Sequence, residues 1–144
     1  MRKSFAFGLN TAMLLMAAVA FAQMAPTKTG DSANGKVLTD SKGMTLYTFD
    51  KDGGGKSACN GPCTTNWPPL VASADAKPMG DYTIVTRDDG GKQWAYKGRP
   101  LYTWAKDTKP GDVLAMGSTT SGTSRHLEWK PVLPAAPKRA AGFR

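Results

Sequence analysis

The residues best placed to do chemistry are Cys59 and Cys63, separated by three residues in SACNGPCTTNWPPL and the only cysteines in the chain. A Cys-x3-Cys pair can take copper when a distal histidine completes the site, and His126 is the single histidine; Met44, Met79 and Met116 offer soft thioether ligands. None of these stands at a regular ligand spacing from the cysteines, and a zinc site lacks its third and fourth ligands. Thiol exchange ordinarily uses two intervening residues at a helix N-terminus inside a βαβ unit, and neither feature surrounds this pair. A disulfide is the third reading. Asn60-Gly61-Pro62 is a turn-forming tripeptide that can bring the two sulfurs together. So small a ring removes about 2 kcal/mol of chain entropy from the unfolded state. The staple leads, with copper handling through Cys59, Cys63 and His126, or thiol redox, as the alternatives.

A second candidate set is acidic. Asp52 and Asp107 occupy equivalent places in two similar segments, and paired carboxylates are what glycoside hydrolysis needs. An aspartate that closes a strand also commonly accepts hydrogen bonds from the next turn's backbone, and that structural role is the preferred one. No Gly-x-Ser-x-Gly elbow occurs. The run DKDGGGKS resembles a phosphate loop and a calcium loop only in part. Position 50 is aspartate where the phosphate loop needs glycine, and position 61 is glycine where the calcium loop needs glutamate. An envelope hydrolase using Asp52 and Asp107 is therefore the third functional reading.

The N-terminus sets the compartment. Arg2 and Lys3 precede an apolar run that ends in Ala20-Phe21-Ala22, the pattern of a signal peptide cleaved after Ala22. The run is shorter than the roughly 20 apolar residues that span a bilayer. No stable membrane insertion is expected after cleavage, and an oxidising compartment favours the Cys59–Cys63 disulfide. Without Arg2 and Lys3, 17 of the 19 basic residues remain against 11 acidic ones, a net charge of +6. These charges are dispersed, not gathered in a stripe, which argues against nucleic acid. Residues 23–34 read as a flexible lead-in and 134–144 as a disordered basic tail.

Between them the chain repeats itself. GMTLYTFDKD (43–52) and GRPLYTWAKD (98–107) agree at six of ten positions, and each is followed by a Trp-x-Pro-aliphatic segment, Trp67–Leu70 and Trp129–Val132. Leu46-Tyr47-Thr48-Phe49 and Leu101-Tyr102-Thr103-Trp104 alternate as half-buried strands do. VLTDSKGMTLYTF reads as a hairpin and YTIVTRDDGGKQWAYKGRPLYTW as a three-strand meander. The expectation is a small all-β antiparallel domain over 35–133, meander, barrel or sandwich in form, with repeats at about 35–71 and 82–133. Tyr47 and Phe49 share one face, as do Tyr102 and Trp104. Each pair is core by default, and a binding platform if that face is uncovered. Trp67 is expected to pack inward.

These residues carry a resemblance. Gly43-x-x-Leu46-Tyr47-x-Phe49-x-x-Asp52, Cys59-x-Gly61-x-Cys63 and Trp67-Pro68-Pro69, with Trp94 to Asp107 in the second half, resemble the secreted-repeat family of predicted bacterial lipoproteins marked by Tyr-x-[Phe/Trp/Tyr]-x-x-Asp. The resemblance implies a cell-envelope protein of tandem copies and brings no known activity. A lipoprotein needs a cysteine at its mature start, where this chain has AFAQMAP, so a free periplasmic or secreted protein is expected. The functional expectation is a non-catalytic recognition or scaffolding module with no cofactor. It would bind an unknown envelope ligand or protein through some of Tyr47, Phe49, Asp52, Trp67, Tyr102, Trp104 and Asp107.

Overall fold

The computed structural model describes residues 25–117 and 129–136. The expected signal peptide, His126 and residues 137–144 lie outside them. Among the described residues seven strands run in chain order: β1 (Lys28–Ser32), β2 (Gly35–Thr39), β3 (Tyr47–Phe49), β4 (Tyr82–Thr86), β5 (Lys92–Tyr96), β6 (Arg99–Pro100) and β7 (Trp129–Pro131). Two single-turn helices, α1 (Cys63–Asn66) and α2 (Leu114–Gly117), are the helical elements among the described residues. Every pairing is antiparallel, in the arrangements β1-β2, β3-β7 and β4-β5-β6. The all-β class and the meander of the second half stand as expected.

The first hairpin turn forms where Asp40-Ser-Lys-Gly signals it. Asp40 Oδ1 accepts from the backbone N–H groups of Lys42 and Met44, and Gly43 takes a φ of 84° that a side chain would resist. One segment departs from expectation. The stretch 23–34 is not merely a lead-in, because Lys28–Ser32 pairs along its whole length with β2 as β1. Its residues are polar and largely exposed, so pairing rather than a buried face holds it in the sheet.

The repeats are joined by exchange. Tyr47 and Tyr102 donate backbone N–H bonds to each other's carbonyl, at 2.8 and 3.0 Å, which places a pseudo-two-fold axis between them. On one side Leu38, Val132 and Leu46 close a ring of three backbone hydrogen bonds at 2.7–2.9 Å. On the other, Trp94, Leu70 and Leu101 close the equivalent ring at 2.9 Å. In each ring two residues come from one repeat and the third from the other repeat's Trp-x-Pro-aliphatic segment. Each half is thus completed by a strand that its partner supplies.

The alternation of the repeated motif now has a physical meaning. Leu46 and Leu101 face one buried cluster with Leu38, Tyr96 and Val132, while Tyr47 and Tyr102 face a second with Trp67, Trp104 and Trp129. Burying side chains of this size stabilises by about 1.5–3 kcal/mol each, enough for the aromatic cluster to be a principal source of cohesion in so small a domain.

Candidate functional site

The aromatic faces that would form a binding platform if left open are covered. Tyr47 and Tyr102 are 0 % exposed, Trp67 and Trp104 are buried, and Phe49 packs against the same cluster. The reason is the strand exchange, which lays each Trp-x-Pro segment over the other half's aromatic face. Trp67 and Trp129 stack with ring centres 3.7 Å apart and planes 3° from parallel. Phe49 stacks on Trp129 at 4.3 Å, and Trp104 lies against Trp67 at 4.2 Å. The four rings form a continuous column with its pseudo-two-fold between the central tryptophans.

The tyrosine and aspartate of the motif also cross between repeats. The Tyr47 hydroxyl donates to Asp107 Oδ2 at 2.8 Å, while Asp107 Oδ1 accepts from the Leu114 N–H at the start of α2. Burial pushes the Asp107 carboxyl above its usual range, and these two donors oppose that shift. The Tyr47 phenol is pushed far up by burial and by the carboxylate beside it. In the other half Asp52 Oδ1 accepts from the Ala58 N–H at 2.7 Å, and burial again raises the carboxyl. The Tyr102 hydroxyl lies near enough to Asp52 to hold that rise in check. It is drawn instead to Ser57 Oγ at 2.5 Å, and Asp52 Oδ2 is left buried without a hydrogen-bond partner. Burial raises the Tyr102 phenol to about 12. Each aspartate accepts a backbone N–H of its own loop, and Asp107, buried, is also bonded to Tyr47, so both carboxylates are engaged in holding the fold.

Cys59 and Cys63 are joined in a disulfide with Cα atoms 5.3 Å apart. The thiolate pair of a copper or thiol-exchange site exists only after reduction. Among the described residues no three His, Cys, Asp or Glu side chains gather as metal ligands.

Sequence reasoning missed the residue that organises this loop. Arg87 is 5 % exposed, and its guanidinium donates to Gln93 Oε1 (2.7 Å), Cys59 O (2.8 Å), Ser57 Oγ (3.0 Å) and Asn60 Oδ1 (3.3 Å). Gln93, fully buried, passes the network on by donating to Leu101 O. Within Thr-Arg-Asp-Asp the arginine reads as an ordinary solvated turn charge, and no local pattern marks it as buried.

With the motif committed to the interior, an open feature among the described residues lies elsewhere. A cleft of about 470 Å³ lies between the repeats. Thr29 and Leu38 of the first repeat face Tyr82 and Tyr96 of the second across it, with Met79 and Asp81 from the connecting segment. The tyrosine rings are 5.1 Å apart and tilted by 43°, and the Lys97 ammonium stands over Tyr96. Pro134 and Ala135 also line it, so the start of the presumed tail is part of this wall.

A family described as a secreted repeat of unknown function matches residues 28–71 and again 83–126. The chain belongs to this family. The secreted-repeat match begins at the first residue of β1, which brings that strand into the repeating unit. No curated protein and no solved structure matches the chain. No helix among the described residues is long and apolar enough to cross a membrane. A secreted repeat fits an extracellular or periplasmic location.

Proposed function

We propose that this secreted repeat is a non-catalytic recognition module of the cell envelope that engages its ligand at the cleft between the repeats. The observation that carries the reading is the division of labour among the aromatic residues. The motif residues are buried or packed into the interior cluster, whereas the half-buried Tyr82 and the exposed Asp81 line an open cleft whose floor is the buried Tyr96 and Leu38. Such a concave surface with a few convergent polar groups suits a ligand presenting a flat, apolar or sugar-like face. Free residence in the periplasm, without a lipid anchor, is part of the same proposal.

Retention of the mature protein on isolated cell-envelope material tests it. Tyr82→Ala and Asp81→Lys are each expected to weaken retention about tenfold or more, the equivalent of ~1.4 kcal/mol. Lys109→Ala, at an exposed loop position away from the cleft, should bind as the parent does. Equal retention of all three variants would remove the cleft from consideration.

A further inference from the structure

The column Phe49–Trp129–Trp67–Trp104 has features that packing alone does not call for. Its two central indoles overlap face to face, although aromatic pairs generally favour offset or edge contacts. Each central indole also meets one tyrosine edge-on, Trp67 with Tyr47 at 5.4 Å and Trp129 with Tyr102 at 4.9 Å. The two tyrosines differ in what could take their hydroxyl proton. Tyr47 points at a carboxylate, Asp107 Oδ2. Tyr102 shares its hydrogen bond with the Ser57 hydroxyl, which already receives one from the Arg87 guanidinium.

We propose that Trp104 and Trp67 form a relay that carries a single oxidising equivalent from Trp104 and leaves it on Tyr47. The inference is independent of the cleft reading above. The oxidant is a small one-electron radical, oxygen- or nitrogen-centred, of the kind an exported protein meets. It takes one electron from Trp104 and becomes its anion, leaving an indole radical cation. The Lys106 ammonium, 5.9 Å from the ring centre, makes positive charge costly at Trp104 and favours its passage to Trp67. In the last step Tyr47 gives one electron to the Trp67 radical cation and its hydroxyl proton to Asp107 Oδ2. The balance is one radical, one phenol and one carboxylate in, and one anion, one phenoxyl radical and one carboxylic acid out.

Direction follows from the groups around the column. Phe49 at the far end is too hard to oxidise to accept the charge, and Lys51 stands over it at 6.0 Å. Moving the proton to Asp107 neutralises a buried carboxylate, which the low-dielectric surroundings favour. A tyrosine whose proton would have to go toward Ser57 and a neighbouring guanidinium gains nothing comparable. With Cys59 and Cys63 already bonded, the cluster also holds no thiol to intercept the charge.

Pulse radiolysis with azidyl radicals, which oxidise indoles preferentially, tests the relay on the mature protein. The tryptophanyl absorption should decay as phenoxyl absorption grows, at a first-order rate unchanged by dilution and slowed in D2O. Tyr47→Phe should slow that conversion at least tenfold, whereas Tyr102→Phe should retain it. Should Tyr47→Phe not fold, the parent protein still decides. Its trapped phenoxyl radical must show, by electron paramagnetic resonance, a hydrogen-bonded proton that exchanges in D2O. A tryptophanyl signal that decays only in dilution-dependent fashion, or a phenoxyl growth unchanged by Tyr47→Phe, would overturn the proposal.

Discussion

Replacing Trp129 with alanine is expected to cost about 3–5 kcal/mol, the range for emptying a large aromatic site in a packed core. Three effects add at this position. The indole lies between Phe49 and Trp67 with an edge contact to Tyr102, so its removal leaves a void bounded by three rings. Trp129 sits in β7, opposite Phe49 of β3, so the loss falls on the strand that joins the second repeat to the first. Little can collapse into the gap, because Tyr47 and Tyr102 are held by backbone bonds on the axis. In a domain of this size each kcal/mol moves the melting temperature by about 4–8 °C, so a thermal melt followed by far-ultraviolet circular dichroism resolves the effect easily. By the pseudo-symmetry, Trp67→Ala should be comparable. A melt within a few degrees of the parent's for either variant would mean that the column contributes little.

The second large effect is expected at Arg87. Arg87→Leu leaves the Gln93 and Asn60 amide oxygens and the Cys59 carbonyl without the donor that now serves them. Each buried acceptor left without its donor costs about 1–3 kcal/mol, so the loss at this network is expected to be among the largest in the domain. Arg87→Lys should recover only part of this, since one ammonium cannot span acceptors arranged around a planar guanidinium. Urea denaturation measures the loss. The rate at which a thiol reductant opens Cys59–Cys63 offers a second readout, and it should rise in both variants because Arg87 holds the Cys59 carbonyl in place. Unchanged stability together with an unchanged reduction rate would show the network to be incidental.

What the sequence discloses, and what it withholds, follows from the range of each interaction. The hairpin at Asp40–Gly43 and the meander from Tyr82 onward are set by neighbouring residues, by turn chemistry and by two-residue alternation. The disulfide follows from export and from a three-residue gap. β1 leaves no such trace, because Lys-Thr-Gly-Asp-Ser has no buried face to alternate with. Alternation placed Tyr47 with Phe49 and Tyr102 with Trp104 on common faces, yet could not say what covers them. The covering segments are Trp67–Leu70 and Trp129–Val132, each crossing to the other repeat, and local pattern does not distinguish crossing from folding back. Arg87 and the cleft depend on contacts between distant segments and are not legible in any one stretch.

Strand exchange accounts for the motif itself. A tyrosine that pairs across the axis, an aromatic ring two residues on that joins the column, and an aspartate five residues on that holds a loop are needed in both copies. In the first copy these are Tyr47, Phe49 and Asp52; in the second, Tyr102, Trp104 and Asp107. The Tyr47–Asp107 bond ties one copy to the other directly.

The most direct test is to sever the chain between its repeats. A protease recognition sequence inserted after Ala76, in the exposed segment between Ser73 and Pro78, allows the folded protein to be cut. The nicked protein is then examined by size-exclusion chromatography, first in native buffer and then in denaturant. Mutual completion predicts that the two pieces elute together at the parent's volume with the parent's circular dichroism, and part only when unfolded. Pieces that separate in native buffer, with either one keeping its strand signature alone, would contradict it.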